Sequence, residues 1–252
     1  MTKYLVKNKE ELQKIIKTNS KPLNSLDVSN ITDMSFLFSD ISNVTYFDID
    51  SWDTSNVSSM DFMFKGCSSL ITIPLLNTSS VADMYSMFSN CKSLTTIPLF
   101  DTSNVTDMYC MFSGCSSLIT IPLLDTSNVT DMYCMFSGCS SLITIPLLDT
   151  SNVSNMGYIF YNCSSLITIP LLDTSNVSDM YCMFSGCSSL ITIPFLNTSS
   201  VSDMYCMFEG CSSLPLLDKV LFLDKSNNDF KIQIYLQMSK EQLQQTYNNL
   251  VF

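Results

Sequence analysis

Residues 101–124 read DTSNVTDMYCMFSGCSSLITIPLL, and residues 125–148 repeat those 24 residues without a change. A third copy, 173–196, differs only at Ser178 and Phe195. The opening Asp-Thr-Ser-Asn-Val recurs at Asp53, Asp101, Asp125, Asp149 and Asp173, and as Asn-Thr-Ser-Ser-Val at Asn77 and Asn197. A looser copy starts at Asp27, 26 residues before Asp53. Eight units therefore fill residues 27–214. A fixed period of this length is the signature of a stacked repeat, in which no unit buries its apolar face alone and neighbouring copies bury it together.

Each unit divides at its punctuation. In the 101–124 copy, Thr106 is placed to cap a short helix, with Asp107 in the first turn where a carboxylate suits the helix dipole. Met108, Met111, Phe112 and Cys115 follow at i, i+3, i+4 and i+7, the spacing of one buried helical face, and Gly114 is placed to stop it. Leu118–Leu123 is short, apolar and β-branched, which predicts a strand. Asp125–Asn128 then forms a turn built on side-chain hydrogen bonds to backbone. Stacked in parallel at about 4.8 Å, such units place identical residues in columns. Met34 to Met204, Phe38 to Phe208 and Leu70 to Leu214 are predicted inside; the threonines Thr72, Thr96, Thr120, Thr144, Thr168 and Thr192 are predicted outside.

The run F-x-x-C-x-x-L-x-x-I-x-L, joined to D-T-S-N-V-T-D-M-x-x-M-F, resembles the BspA-type leucine-rich repeats, and more narrowly their DUF285-like, Asn-Val-Thr-Asp-Met subfamily. The resemblance covers about three quarters of the chain. It implies an α/β repeat fold: a leucine-rich-repeat-like right-handed solenoid with one short parallel strand and one short helix per 24-residue unit, capped at both ends. It also implies adhesion or protein contact, no catalytic residues and a cell-surface location.

The ends are expected to be caps. Residues 1–26 read as a helical cap, with Asn8 and Glu11 as a capping-box start and Leu12, Ile15 and Ile16 as its apolar stripe. Residues 215–252 read as a β-hairpin, strands at Lys219–Leu223 and Phe230–Leu236, followed by a helix at roughly 240–249 opened by Ser239 and Gln242.

Charge and composition narrow the function. A net charge of −11 with 12 Lys+Arg disfavours nucleic-acid binding and association with an anionic membrane. No stretch approaches the ~20 apolar residues of a membrane span, and the N-terminal sequence lacks the apolar core of a signal peptide, which by sequence alone suggests the cytoplasm. There is no His, no nucleophile motif and no phosphate loop, and near-identical units leave little room for the local asymmetry a catalytic site needs. The expected protein is not an enzyme and takes no cofactor. Its expected role is to present an extended multivalent surface to a protein or glycan partner; the alternative is a calcium-stabilised structural repeat, using the columns of Asp33, Asp83, Asp107, Asp131, Asp179 and Asp203 and of Asp53, Asp101, Asp125, Asp149 and Asp173.

The candidate binding surface is the row Tyr85, Tyr109, Tyr133, Tyr181 and Tyr205, since rigid amphipathic aromatics anchor interfaces. Seven of the 11 cysteines, Cys67 to Cys211, share the apolar face, where they are expected to be buried thiols. Cys110, Cys134, Cys182 and Cys206 fall off that face. They are expected to be more exposed and paired across neighbouring units, Cys110 with Cys134 and Cys182 with Cys206, close enough to cross-link.

Overall fold

The computed structural model describes residues 3–215. The chain enters through β1 (Tyr4–Leu5), α1 (Lys9–Thr18), a 3-10 turn (Leu23–Ser25) and β2 (Leu26–Asp27). Asn8 caps α1, its side chain accepting the Glu11 N–H at 2.9 Å. The Glu11 carboxylate reaches back past the cap to the Lys7 N–H at 2.8 Å, so the box closes one residue earlier than the standard pattern. The helix ends at Asn19 in the left-handed region, φ 46°. Leu12 and Ile15 are buried in the same apolar core as the repeats. β1 pairs in parallel with β2, Tyr4 opposite Leu26, and so adds a layer ahead of the first unit. The expected hairpin and final helix lie outside the described residues.

From Val28 to Pro215 the chain forms neither helix nor strand. The helix expected over 106–115 and the strand expected over 118–123 are both replaced by turns and extended segments of one coil. The burial pattern shows why. Thr102, Val105, Met108, Met111, Cys115, Leu118, Ile121 and Leu124 point inward, with Phe112 beside Met111. The inward residues thus recur about every third position. A strand needs alternation by two, yet Ile119 and Thr120 are both exposed. The i, i+3, i+4, i+7 subset that suggests a helix is a fragment of this three-residue rhythm.

Backbone hydrogen bonds settle the matter. Cys110, Phe112 and Gly114 donate their N–H groups to Tyr133, Met135 and Ser137 of the next coil at 2.9, 2.9 and 2.7 Å. The alternate residues Met111, Ser113 and Cys115 donate to the carbonyl three residues back at 3.2, 3.1 and 3.0 Å. A helix would send every N–H four residues back; here every second one is committed to a neighbour. Thr106, expected as a helix cap, donates its N–H to Ala82 of the preceding coil at 3.0 Å. Parallel bridges pair Asp33, Ser59, Asp83, Asp107, Asp131, Asn155, Asp179 and Asp203 in succession. By contrast, the Leu118–Leu123 segment makes one backbone bond to its predecessor, Ile119 N–H to Thr95 at 3.3 Å. Pro122 has no N–H to give.

Two positions per coil carry positive φ. The second is filled by Asp40, Gly66, Asn90, Gly114, Gly138, Asn162, Gly186 and Gly210, the residue types that tolerate left-handed backbone. Gly114, expected as a helix stop, is instead the corner of the coil. A Cβ there would sit 2.5 Å from Asn90 Oδ1, whereas one at Gly138 would find Gly114 Cα at 3.5 Å.

The core is a set of columns. Phenylalanine rings from Phe38 to Phe208 stack face to face, with centroids 5.4 to 5.8 Å apart. Buried threonines are satisfied across coils: Thr102 Oγ1 donates to the Asp125 carbonyl at 2.8 Å. The buried cysteines do likewise, Cys115 Sγ–H reaching the Phe88 carbonyl at 3.0 Å. Asn104 Nδ2 donates backward to Ser79 at 2.7 Å. Every buried polar group in this set is therefore paired with a neighbouring unit.

Gly114→Ala is expected to destabilise the fold by about 1–2 kcal/mol from backbone strain plus the clash with Asn90, and Gly138→Ala by less; thermal melts of the two variants check the order. Phe136, fully buried, should cost about 3–5 kcal/mol on replacement by Ala, and exposed Thr144 no more than about 0.5 kcal/mol. Equal denaturation midpoints for these two would contradict the assigned inside and outside.

Candidate interaction surface

The row Tyr85, Tyr109, Tyr133, Tyr181, Tyr205 comes together as part of a longer ladder. Where position nine of a unit is not aromatic, position ten is: Ser35 gives way to Phe36, Asp61 to Phe62 and Gly157 to Tyr158. The ladder therefore runs unbroken through eight rings, from Phe36 and Phe62, stacked at 4.5 Å, to Tyr181 and Tyr205 at 5.7 Å. Tyr85–Tyr109 and Tyr109–Tyr133 stack at 4.7 and 5.0 Å, and Tyr158 meets Tyr133 edge-on at 5.5 Å. At coil six the Tyr133 ring occupies the space beside Gly157, where a Cβ would lie 3.0 Å from it. Tyr85 to Tyr181 are half-buried; Tyr205, at the end, is exposed. Burial first, then the neighbouring Cys110 thiol, raises the Tyr109 hydroxyl to about 12. Asp61, in the tyrosine column, is raised to about 7 by burial and by the carboxyl of Asp83. The compensating swaps at 36, 62 and 158 are visible in the sequence once positions nine and ten are read together.

A second surface was not anticipated. Leu75, Leu99, Leu123, Leu147, Leu171 and Phe195 occupy one position per coil and are 62–74 % exposed. Ile71, Ile119, Ile143, Ile167 and Ile191 form a parallel row, 42–53 % exposed. Both rows lie in the segment read as a strand, where the sequence places Leu118 inward and Thr120 outward, as found, and gives Ile119 and Leu123 no side. Between the outer leucines and the next turn runs an open groove of about 920 Å³, lined by Leu123, Leu147, Leu171, Phe195 and the turn residues Asp125, Asp149 and Asp173. Isolated exposed leucines are ordinary; a contiguous row of them marks an interaction surface.

The aspartate columns build turns. Asp101 Oδ1 accepts the Ser103 N–H at 3.1 Å and its hydroxyl at 2.6 Å. Asp107 Oδ1 accepts the Tyr109 N–H at 2.8 Å. Among the described residues no group of three or more His, Cys, Asp or Glu is arranged to hold a metal ion, and no helix is long and apolar enough to cross a membrane.

The family described as Mycoplasma protein of unknown function, DUF285, matches residues 6–120, 70–168, 95–191 and 144–231. The chain belongs to this family. Among solved structures it is similar to a leucine-rich repeat protein of T. pallidum, with 25 % identity and a TM-score of 0.54 over 68 % of this chain and 79 % of that one. A leucine-rich repeat protein of Eubacterium ventriosum shares 23 % identity at a TM-score of 0.49, over 66 % of this chain and 43 % of that one. An internalin C2 of Listeria monocytogenes shares 17 % identity at a TM-score of 0.33, over 69 % and 80 %. No curated protein matches the chain. The fold of this DUF285 protein is leucine-rich-repeat-like.

The cysteines of the DUF285 units divide in two. Cys67, Cys91, Cys115, Cys139, Cys163, Cys187 and Cys211 are buried, and burial pushes the Cys115 and Cys163 thiols up to about 12. Cys110, Cys134, Cys182 and Cys206 sit at the first positive-φ position of their coils. The expected pairs do meet: Cys110 hydrogen-bonds to Cys134, and Cys182 to Cys206. Cys182 departs from the expected exposure, being only 6 % exposed. In the Cys110–Cys134 pair the contact between the two thiols is the largest influence on the titration of each.

The thiolate is the reactive form. Brief iodoacetamide labelling of the native protein at neutral pH, read by peptide mapping, should therefore mark the half-exposed Cys110 and Cys134 well before the buried Cys182, and leave Cys115, Cys139 and Cys163 untouched. Early labelling of Cys115 would contradict the assigned core.

Proposed function

We propose that this chain is a non-catalytic binding protein whose extended repeat surface docks another protein. The observation that carries this reading is the pair of apolar rows, Leu75 to Phe195 and Ile71 to Ile191, exposed in coil after coil. A fold selected for stability alone gains nothing by placing leucine at these positions, since burial of apolar area is what stabilises. Repetition presents the same contact many times along one axis, the arrangement that gives avidity. The leucine-rich-repeat-like fold and membership of DUF285 agree with a role in protein contact or adhesion.

A protein partner is favoured over a glycan. Sugars pack on open aromatic faces, and the ladder covers nearly all of its ring faces with other rings, leaving chiefly edges and the terminal rings Phe36 and Tyr205. The tyrosine row thus serves the stack first and contacts a partner through its hydroxyl edge.

The test is capture from native lysate by the immobilised full chain and two variants. Leu123→Glu/Leu147→Glu/Leu171→Glu is expected to melt within a few degrees of the parent, because the replaced side chains are already exposed, and to lose the retained proteins. Tyr181→Ser/Tyr205→Ser is expected to keep them. The reverse pattern would move the contact surface to the tyrosines, and no specific capture by the parent chain would contradict a binding role.

A further inference from the structure

The apolar groove has a one-signed electrostatic rim. Asp101, Asp125, Asp149 and Asp173 stand at the start of four consecutive coils, all exposed, and the last three line the groove. Each is held below the ordinary carboxylate range by the hydroxyl and N–H of the serine two residues on, so all four are ionised at neutral pH. Their mutual repulsion acts the other way, Asp101 and Asp149 both disfavouring the charge on Asp125. No basic side chain of the repeats relieves it. Between Lys92 and Pro215 the sequence has no Lys or Arg, and it carries eight Asp and one Glu. The four-carboxylate stretch ends at Asn77 and Asn197, and beneath it lie Leu123, Leu147 and Leu171.

We propose that this groove receives a basic amphipathic segment of a partner protein, apolar side chains against the leucine row and Lys or Arg against Asp101, Asp125, Asp149 and Asp173. This rests on the protein-docking reading above and adds the chemistry of the occupant. Charge complementarity selects it. An apolar ridge alone accepts any hydrophobic segment, but a negative rim rejects acidic ones and steers cationic ones. A second copy of this chain is disfavoured for the same reason, since its own groove carries the same sign. The stretch also has the length of a short recognition element: about 14 helical residues at ~1.5 Å each span about four coils at ~4.8 Å.

The experiment uses the full chain and two fluorescent peptides of about 14 residues, an amphipathic Leu/Lys helix and its Leu/Glu counterpart. Anisotropy titrations are run at low and moderate salt. The Leu/Lys peptide should bind and the Leu/Glu peptide should not. Leu123→Glu/Leu147→Glu/Leu171→Glu should weaken binding by about tenfold or more. Asp125→Asn/Asp149→Asn/Asp173→Asn should weaken it less and flatten its salt dependence. This variant keeps the turn, because Asn77 and Asn197 already make the same serine contacts. Glu10→Gln/Asp48→Asn/Asp50→Asn, with the same change in net charge away from the groove, should leave binding unchanged.

If both peptides bind equally, the rows remain a protein contact and the basic occupant is ruled out. Equal weakening by the two carboxylate variants would reduce the effect to net charge and overturn the assignment. A concentration-dependent dimer that the leucine variant converts to monomer would give the groove to a second copy instead. Failure of the Leu/Lys peptide to bind overturns the proposal whatever the lysate capture shows.

Discussion

Everything in this molecule depends on the register between one coil and the next. Along 107–114 alternate amides are satisfied only by the following unit, and the chain between them closes on itself three residues at a time. In a single coil the outward-bound amides would face water, and stacking exchanges that hydration for bonds between coils worth about 0.5–1.5 kcal/mol each. The same dependence extends to side chains. Thr102 reaches forward, and Asn104 and Cys115 reach backward. Cooperativity is thus a property of the hydrogen-bonding pattern as much as of the stacked phenylalanines.

Constraint inside leaves freedom outside, and the two are separated position by position. Thr102, Phe112 and Cys115 answer to neighbours above and below, so their chemistry is dictated. Positions nine and ten trade an aromatic between them and still keep one ring per coil, which makes the ladder a structural requirement that tolerates local rearrangement. The side chains of Leu123 and Ile119 are largely turned to solvent, 62 % and 48 % exposed. That contrast is why the apolar rows, rather than the tyrosines, carry the functional reading.

The repeat, its period and its inward columns were legible because identical residues at a fixed spacing can only stack. The Phe112, Met108 and Leu118 columns follow from that alone, as does the meeting of Cys110 with Cys134. Secondary structure was not legible. Met108, Met111, Phe112 and Cys115 fit a helical face, and nothing local says that Cys110 adopts positive φ. In that conformation its N–H bonds to Tyr133 of the next coil, a partner 23 residues away in the sequence. Reading Leu118–Leu123 as a strand misstates its inward side: alternation from Leu118 would bring Thr120 in, whereas the three-residue rhythm leaves Ile119 and Thr120 out and brings Ile121 in. The α1 cap was legible at Asn8, where a local side-chain bond decides the boundary.

The identity of residues 101–124 and 125–148 has a genetic side. A coil meets its neighbours through bonds that recur at each junction, so an in-frame duplication or loss of one coding segment joins surfaces that already fit. Unequal exchange between such segments would change the reach of the groove without passing through an unfolded variant. Length becomes a heritable setting, adjustable in whole coils, for how many contacts a single molecule offers.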